Sequence, residues 1–144
     1  MPPSCDTPVL DGDVIRVGAL TVTVRHCPGH SPGHVAFLID SSTPGAASRT
    51  AARDNKPADI CTETVMNRDG DSGNDTPPLL LFCGDLIFEG SIGRTDLPGS
   101  NERDMYKSLS RLAELPRNTV LLPGHRGVTA IGQELDTNPF LQDI

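Results

Sequence analysis

Basic residues are few and unclustered in this 144-residue chain: 12 Lys and Arg stand against 19 Asp and Glu, a formal net charge of −7. Phosphate backbones are held by grouped cations, so this balance and a pI near 4.9 argue against a nucleic-acid partner. No apolar run approaches the roughly 20 residues of a membrane-spanning helix, and residues 1–5 lack the basic and apolar regions of a secretory leader. A soluble, cytoplasmic protein with no membrane partner is the expectation. C-x-x-C spacing is also missing, since Cys5, Cys27, Cys61 and Cys83 are scattered. That speaks against a disulfide framework or a four-cysteine zinc site and leaves incidental or buried thiols.

What the chain does have is centred on residues 27–34, CPGHSPGH, where His30 and His34 stand among prolines and glycines. An alternating run (Leu20, Val22, Val24) leads in and an apolar run (35–39) leads out, so the histidines occupy a tight connection between two strands. Two further polar residues arrive in the same way. Gly84-Asp85 closes the apolar run that begins at Leu79, and Pro123-Gly124-His125 closes Val120, Leu121 and Leu122. Three strands ending in Gly followed by His or Asp imply one rim of a sheet, where imidazole and carboxylate converge on a metal. Such groups are the usual ligands of Zn(II) and of non-haem Fe or Mn.

In chain order, a turn at residues 10–13 opens a hairpin of Val14, Ile15 and Val17 with residues 20–25, folded back at Gly18. Residues 41–78 are rich in Ser, Thr, Ala, Pro, Asp, Asn and Gly, with Ile60, Val65 and Met66 almost their only large apolar residues. Such a segment buries too little apolar surface to offset its ordering entropy, so a disordered insertion within a single domain over 1–144 is expected. A strand follows at 79–83, then a loop over 89–100. Asn101 caps a helix with Glu102 and Asp104 in its first turn, Met105, Leu109 and Leu112 on its apolar face, and Pro116 at its end. A strand at 119–122 and a helical or irregular tail at 131–141 complete the chain.

Taken together, the blocks HCPGHSPGHVAF, CGDLIFEGSIGRTDLPG and VLLPGHRGVTAIGQELDTNPFL resemble the C-terminal part of the metallo-beta-lactamase-fold hydrolases, specifically the single-domain glyoxalase II-like (hydroxyacylglutathione hydrolase-like) branch. The resemblance implies an α/β fold: an αβ/βα sandwich, here incomplete with its N-terminal half missing, and a mixed sheet with flanking helices. It also implies that His30 is a ligand of a first metal, Asp85 the bridging and catalytic carboxylate, and His125 a ligand of a second. Two Zn(II) per complete site are implied, with Fe or Mn as alternatives. His34 falls at a non-ligand position and reads as structural, while His26 reads as solvent-exposed. A zinc knuckle of Cys27, His30 and His34 is the rival local reading, weakened because no fourth ligand is evident. Arg94 and Asp96 read as a mutual ion pair.

The family's H-x-H-x-D-H loop occurs nowhere in these residues. With His30, Asp85 and His125 alone, each metal keeps two protein ligands. The implied activity is hydrolysis of a small-molecule thioester by metal-bound hydroxide, weak or absent in this chain. The alternatives are a persulfide dioxygenase with one iron, or a non-catalytic half-fold. A half-fold leaves its sheet uncovered, which favours self-association or pairing with another chain.

Overall fold

A computed structural model describes residues 7–40, 78–142 and 144, and the insertion expected at 41–78 lies outside them apart from Pro78. Six strands form one sheet: β1 (Val14–Val17), β2 (Leu20–His26), β3 (Val35–Asp40), β4 (Leu79–Gly84), β7 (Val120–Pro123) and β8 (Thr129–Ala130), in the order β1-β2-β3-β4-β7-β8. All neighbours are antiparallel except β4 and β7. Parallel strands need a crossover. It is supplied by a small hairpin, β5 (Ile87–Phe88) with β6 (Ser91–Ile92), followed by helix α1 (Glu102–Ala113). After β8 come helix α2 (Ile131–Thr137) and a 3-10 turn (Pro139–Leu141). No helix among the described residues is long and apolar enough to cross a membrane.

The local reasons are visible in the sequence. Gly18 takes a φ of 63° in the tight turn joining β1 to β2, a value that two-residue hairpin turns favour and side chains resist. The Asn101 side chain accepts from the Asp104 N–H at 3.1 Å, satisfying one orphan donor at the start of α1. Met105, Leu109 and Leu112 recur at helical spacing and are buried against Ala36, Leu81, Cys83 and Leu121 of the sheet. Leu109, with no exposed surface, contributes roughly 2 to 3 kcal/mol by leaving water. The free thiols of Cys27 and Cys83 belong to the same core; burial pushes the Cys83 thiol up to about 12.

Side chains alternate across a sheet, so residues between those core positions face the other way. Phe37, Leu80, Phe82 and Leu122 form this second face, with Phe37 beside Phe82 and Phe82 beside Leu122. They are only partly covered, Phe82 being 46% exposed. The core cluster draws its helical residues from α1, α2 and the final turn, all on the first face. The expected mixed sheet with flanking helices is therefore present, with helices against one face among the described residues. Strands β6 and β8 are additions to the expectation, each too short to carry a periodic signal.

Candidate metal centre

β4 and β7 run in parallel, so the residues that follow them emerge at the same rim. β3 is antiparallel to β4, so the connection entering β3 from β2 lies at that rim too. Asp85, His125 and His30 come from these three connections. His30 Nε2 lies 3.6 Å from Asp85 Oδ2, and His125 Nδ1 lies 3.1 Å from Asp85 Oδ1. One carboxylate thus stands between two imidazoles and offers a separate oxygen to each.

His30 is held from behind. Its Nδ1 is 3.0 Å from the Arg94 carbonyl, which can only accept, so Nδ1 donates there and Nε2 is the nitrogen that faces Asp85. The gap of 3.6 Å is long for a direct hydrogen bond. Donors about 2.1 Å from a tetrahedral ion lie roughly 3.4 Å from each other, which the separations of 3.1 and 3.6 Å bracket. A backbone carbonyl fixing the far nitrogen is the usual support of a metal-binding histidine. The loop is seated by Gly29, where a Cβ would come within 2.5 Å of the Met105 Cα at the start of α1.

His125 is held differently. Its side chain is 60% exposed and its ring packs on Phe88 of β5, with centroids 4.2 Å apart at 36°. The next residue, Arg126, has φ 68° and places its guanidinium carbon 5.7 Å from the centre of the same Phe88 ring. Gly124 makes room for the carboxylate, since a Cβ there would stand 3.2 Å from Asp85 Oδ1.

The other polar residues singled out in the sequence fall around this arc. His34 presses its ring against Gly84, where a Cβ would meet Nε2 at 2.8 Å. Its Nδ1 is buried with no hydrogen-bond partner among the described residues, and burial, then the neighbouring His30, holds the imidazole below its ordinary 6.5. His26, expected in solvent, is instead half-buried: its Nε2 lies 2.8 Å from the Pro32 carbonyl and its N–H donates to Asp11 at 2.7 Å. Arg94 and Asp96 form the expected two-pronged pair at 2.9 and 2.8 Å, and the Arg94 hydrogen bonds hold the Asp96 carboxyl at about 2. The knuckle of Cys27, His30 and His34 is not formed. Among the described residues no group of three or more His, Cys, Asp or Glu is placed to hold one ion. The same holds of the arc at Asp85, where each imidazole meets a different oxygen of one carboxylate.

Residues 80–125, which include Asp85 and His125, match the model of the metallo-beta-lactamase superfamily. The chain is 35% identical over 143 residues to an uncharacterized protein of Aquifex aeolicus, covering 99% of this chain and 51% of that protein. Among solved structures, it aligns with a di-iron-bound form of TTHA1623 at 35% identity and a TM-score of 0.60, over 97% of this chain and 50% of the other. The chain shares the metallo-beta-lactamase fold with solved structures, over about half of their length. Other similar proteins include the Haemophilus influenzae hydroxyacylglutathione hydrolase GloC, 27% identical over 91% of this chain and 45% of that protein. ETHE1 from Myxococcus xanthus aligns at 28% identity and a TM-score of 0.62, over 91% of this chain and 44% of the other. The chain spans about half the length of the curated relatives it matches.

Members of this superfamily bind metal ions, as the di-iron form of one relative illustrates. The residues here fit such ions in kind, through imidazole nitrogen and carboxylate oxygen at suitable separations. Sequence reasoning missed the supports: the Arg94 carbonyl, the Phe88 ring and the buried pair Glu134 and Asn138. A backbone carbonyl leaves no mark in a sequence, and Phe88 reads as one more apolar residue in the trio of residues 86–88.

Proposed function

We propose that this chain carries one side of a metal-dependent thioester hydrolase site of the hydroxyacylglutathione type, with His30 and Asp85 serving one ion and Asp85 and His125 the other. The observation that carries the reading is Nε2 of His30 facing Asp85 Oδ2 across 3.6 Å, with Nδ1 donating to the Arg94 carbonyl. When bound, a Zn(II), Fe or Mn ion here supplies Lewis acidity and lowers the pKa of water to about 7. The chain's own residues set the geometry for that chemistry. Asp85 spaces the two positions through its two oxygens, the Arg94 carbonyl fixes the His30 tautomer, and the Phe88 ring orients His125. The similarity to GloC supports a small thioester as substrate.

Two donors per ion do not make a tight site, so the remaining donors come from another segment or chain. The apolar second face around Phe37, Leu80, Phe82 and Leu122 is where such a partner, or a second copy, covers the sheet. The test compares this chain alone with the same chain preceded by the first half of the Aquifex aeolicus relative, using equilibrium dialysis with zinc and hydrolysis of S-lactoylglutathione. The chain alone hydrolyses poorly or not at all; the joined protein binds zinc stoichiometrically and turns over the thioester. Asp85→Asn lowers that turnover by about a hundredfold or more. A joined protein that holds zinc and leaves the thioester intact overturns the substrate reading. A second reading, a persulfide dioxygenase with one iron, shares the Gly93-Arg94-Thr95-Asp96 tetrad, while Ser91-Ile92 and Pro123-Gly124-His125 look more like the hydrolase. Iron content with oxygen uptake separates it from zinc with hydrolysis.

A further inference from the structure

Glu134 on α2 is fully buried, and no basic side chain among its hydrogen-bond partners balances it. Burying a carboxyl group is costly unless donors replace water, so what surrounds this one is informative. The Gly90 N–H donates to Oε2 at 3.0 Å, the Thr129 hydroxyl donates to Oε1, and the Asn138 amide donates to Oε2 at 2.8 Å. Asn138 is also fully buried, and its Nδ2 reaches the Ser91 carbonyl at 3.1 Å and the Phe88 carbonyl at 3.4 Å. Apart from the bond between Asn138 and Glu134 themselves, these contacts land on two segments. Phe88, Gly90 and Ser91 make up the β5–β6 hairpin, and Thr129 begins the strand directly after the His125 loop.

The same two segments meet again at the site. The hairpin's Phe88 carries the His125 ring, and Arg126 donates from Nη1 to the Glu89 carbonyl at 3.5 Å. The His125 loop therefore touches the hairpin through Phe88 and Glu89, while Glu134 ties the hairpin to Thr129 at the end of that loop. We propose that Glu134, assisted by Asn138, is a positioning residue for His125, clamping the Phe88 hairpin to Thr129 so that the imidazole stays beside Asp85. Its importance for chemistry rests on the reading of His125 as a metal donor. The clamp itself is a statement about this chain alone.

The test uses the full chain labelled at its four histidines and reads the ring-proton shifts of His30 and His125 by NMR without added metal. Phe88→Leu gives the position of His125 once the ring current of Phe88 is lost. The expected result is that Glu134→Ala moves His125 towards that position and leaves His30 in place. Glu134→Gln, which keeps the length and an oxygen for the Gly90 N–H, restores the wild-type shift. Leu109→Ala serves as a destabilised control in which His125 stays put. An unchanged His125 in folded Glu134→Ala overturns the proposal, as does movement of all four histidines together. If Glu134→Ala does not fold, Thr129→Val removes one tie and Asn138→Ala those to Glu134, Ser91 and Phe88, and the same two outcomes decide. If His125 moves as expected yet His125→Ala leaves zinc uptake by the joined protein unaltered, the functional reading falls and the clamp stands.

Discussion

His30 and His125 flank one carboxylate, yet they are secured by different physics. His30 is 24% exposed and fixed by a hydrogen bond to a backbone carbonyl, on a loop pressed against α1 at Gly29. His125 is 60% exposed and depends on the packing of its ring against a hairpin that is itself anchored from the far side. A hydrogen bond to the backbone fixes both the tautomer and the direction of a ring, whereas ring contact fixes only its plane. The difference teaches that one arm of the site is built into the sheet-and-helix core and the other is assembled from loops.

The largest expected effect bears on both arms at once. Leu109→Ala removes a fully buried side chain beneath the whole rim and costs about 3 to 4 kcal/mol in urea unfolding, with neither imidazole displaced in the surviving fold. Gly29→Ala breaks the symmetry of that result. A Cβ within 2.5 to 2.7 Å of three Met105 atoms forces the loop or the helix aside, costing about 2 to 3 kcal/mol and shifting the NMR signals of His30 but not of His125. The smallest effect sharpens the comparison through the strand that feeds the His30 loop. Asp11 accepts from the His26 N–H at 2.7 Å and from Arg111 at 3.0 Å, and these partners, the His26 N–H foremost, hold its carboxyl below the ordinary 3.8. A carboxyl lowered on folding stabilises above its unfolded value and loses that contribution as the pH falls through the folded one. Unfolding of the wild type monitored from pH 5 downwards should therefore show an extra decline below 3.8 that Asp11→Asn lacks. Half-exposed as the pair is, the difference is about 0.5 kcal/mol.

How far the sequence reveals this arrangement depends on how local each cause is. Asn101, Met105, Leu109 and Leu112 announce α1 because a cap and a helical period are local patterns. The four longer central and parallel strands announce themselves as apolar runs ending in glycine or proline turns. The rim follows from those ends, and so does the meeting of His30, Asp85 and His125 around it. Strands of two residues, such as Thr129–Ala130, carry no period to detect. His26 reads as a surface residue because the carbonyl of Pro32 and the carboxylate of Asp11, which draw it inward, are contributed by turns. Glu134 is the least legible. An acidic residue on a short helix reads as a solvated charge, and only the tertiary fold brings Gly90 and Thr129 to it.

Six strands, each hydrogen-bonded in a single layer, leave Phe82 at the centre of a greasy surface close to half bare to water. Such a surface makes the fate of this polypeptide a matter of concentration and company. Exposed apolar patches mark places where proteins meet, and a sedimentation coefficient that rises with concentration is what the proposed covering by a second copy requires.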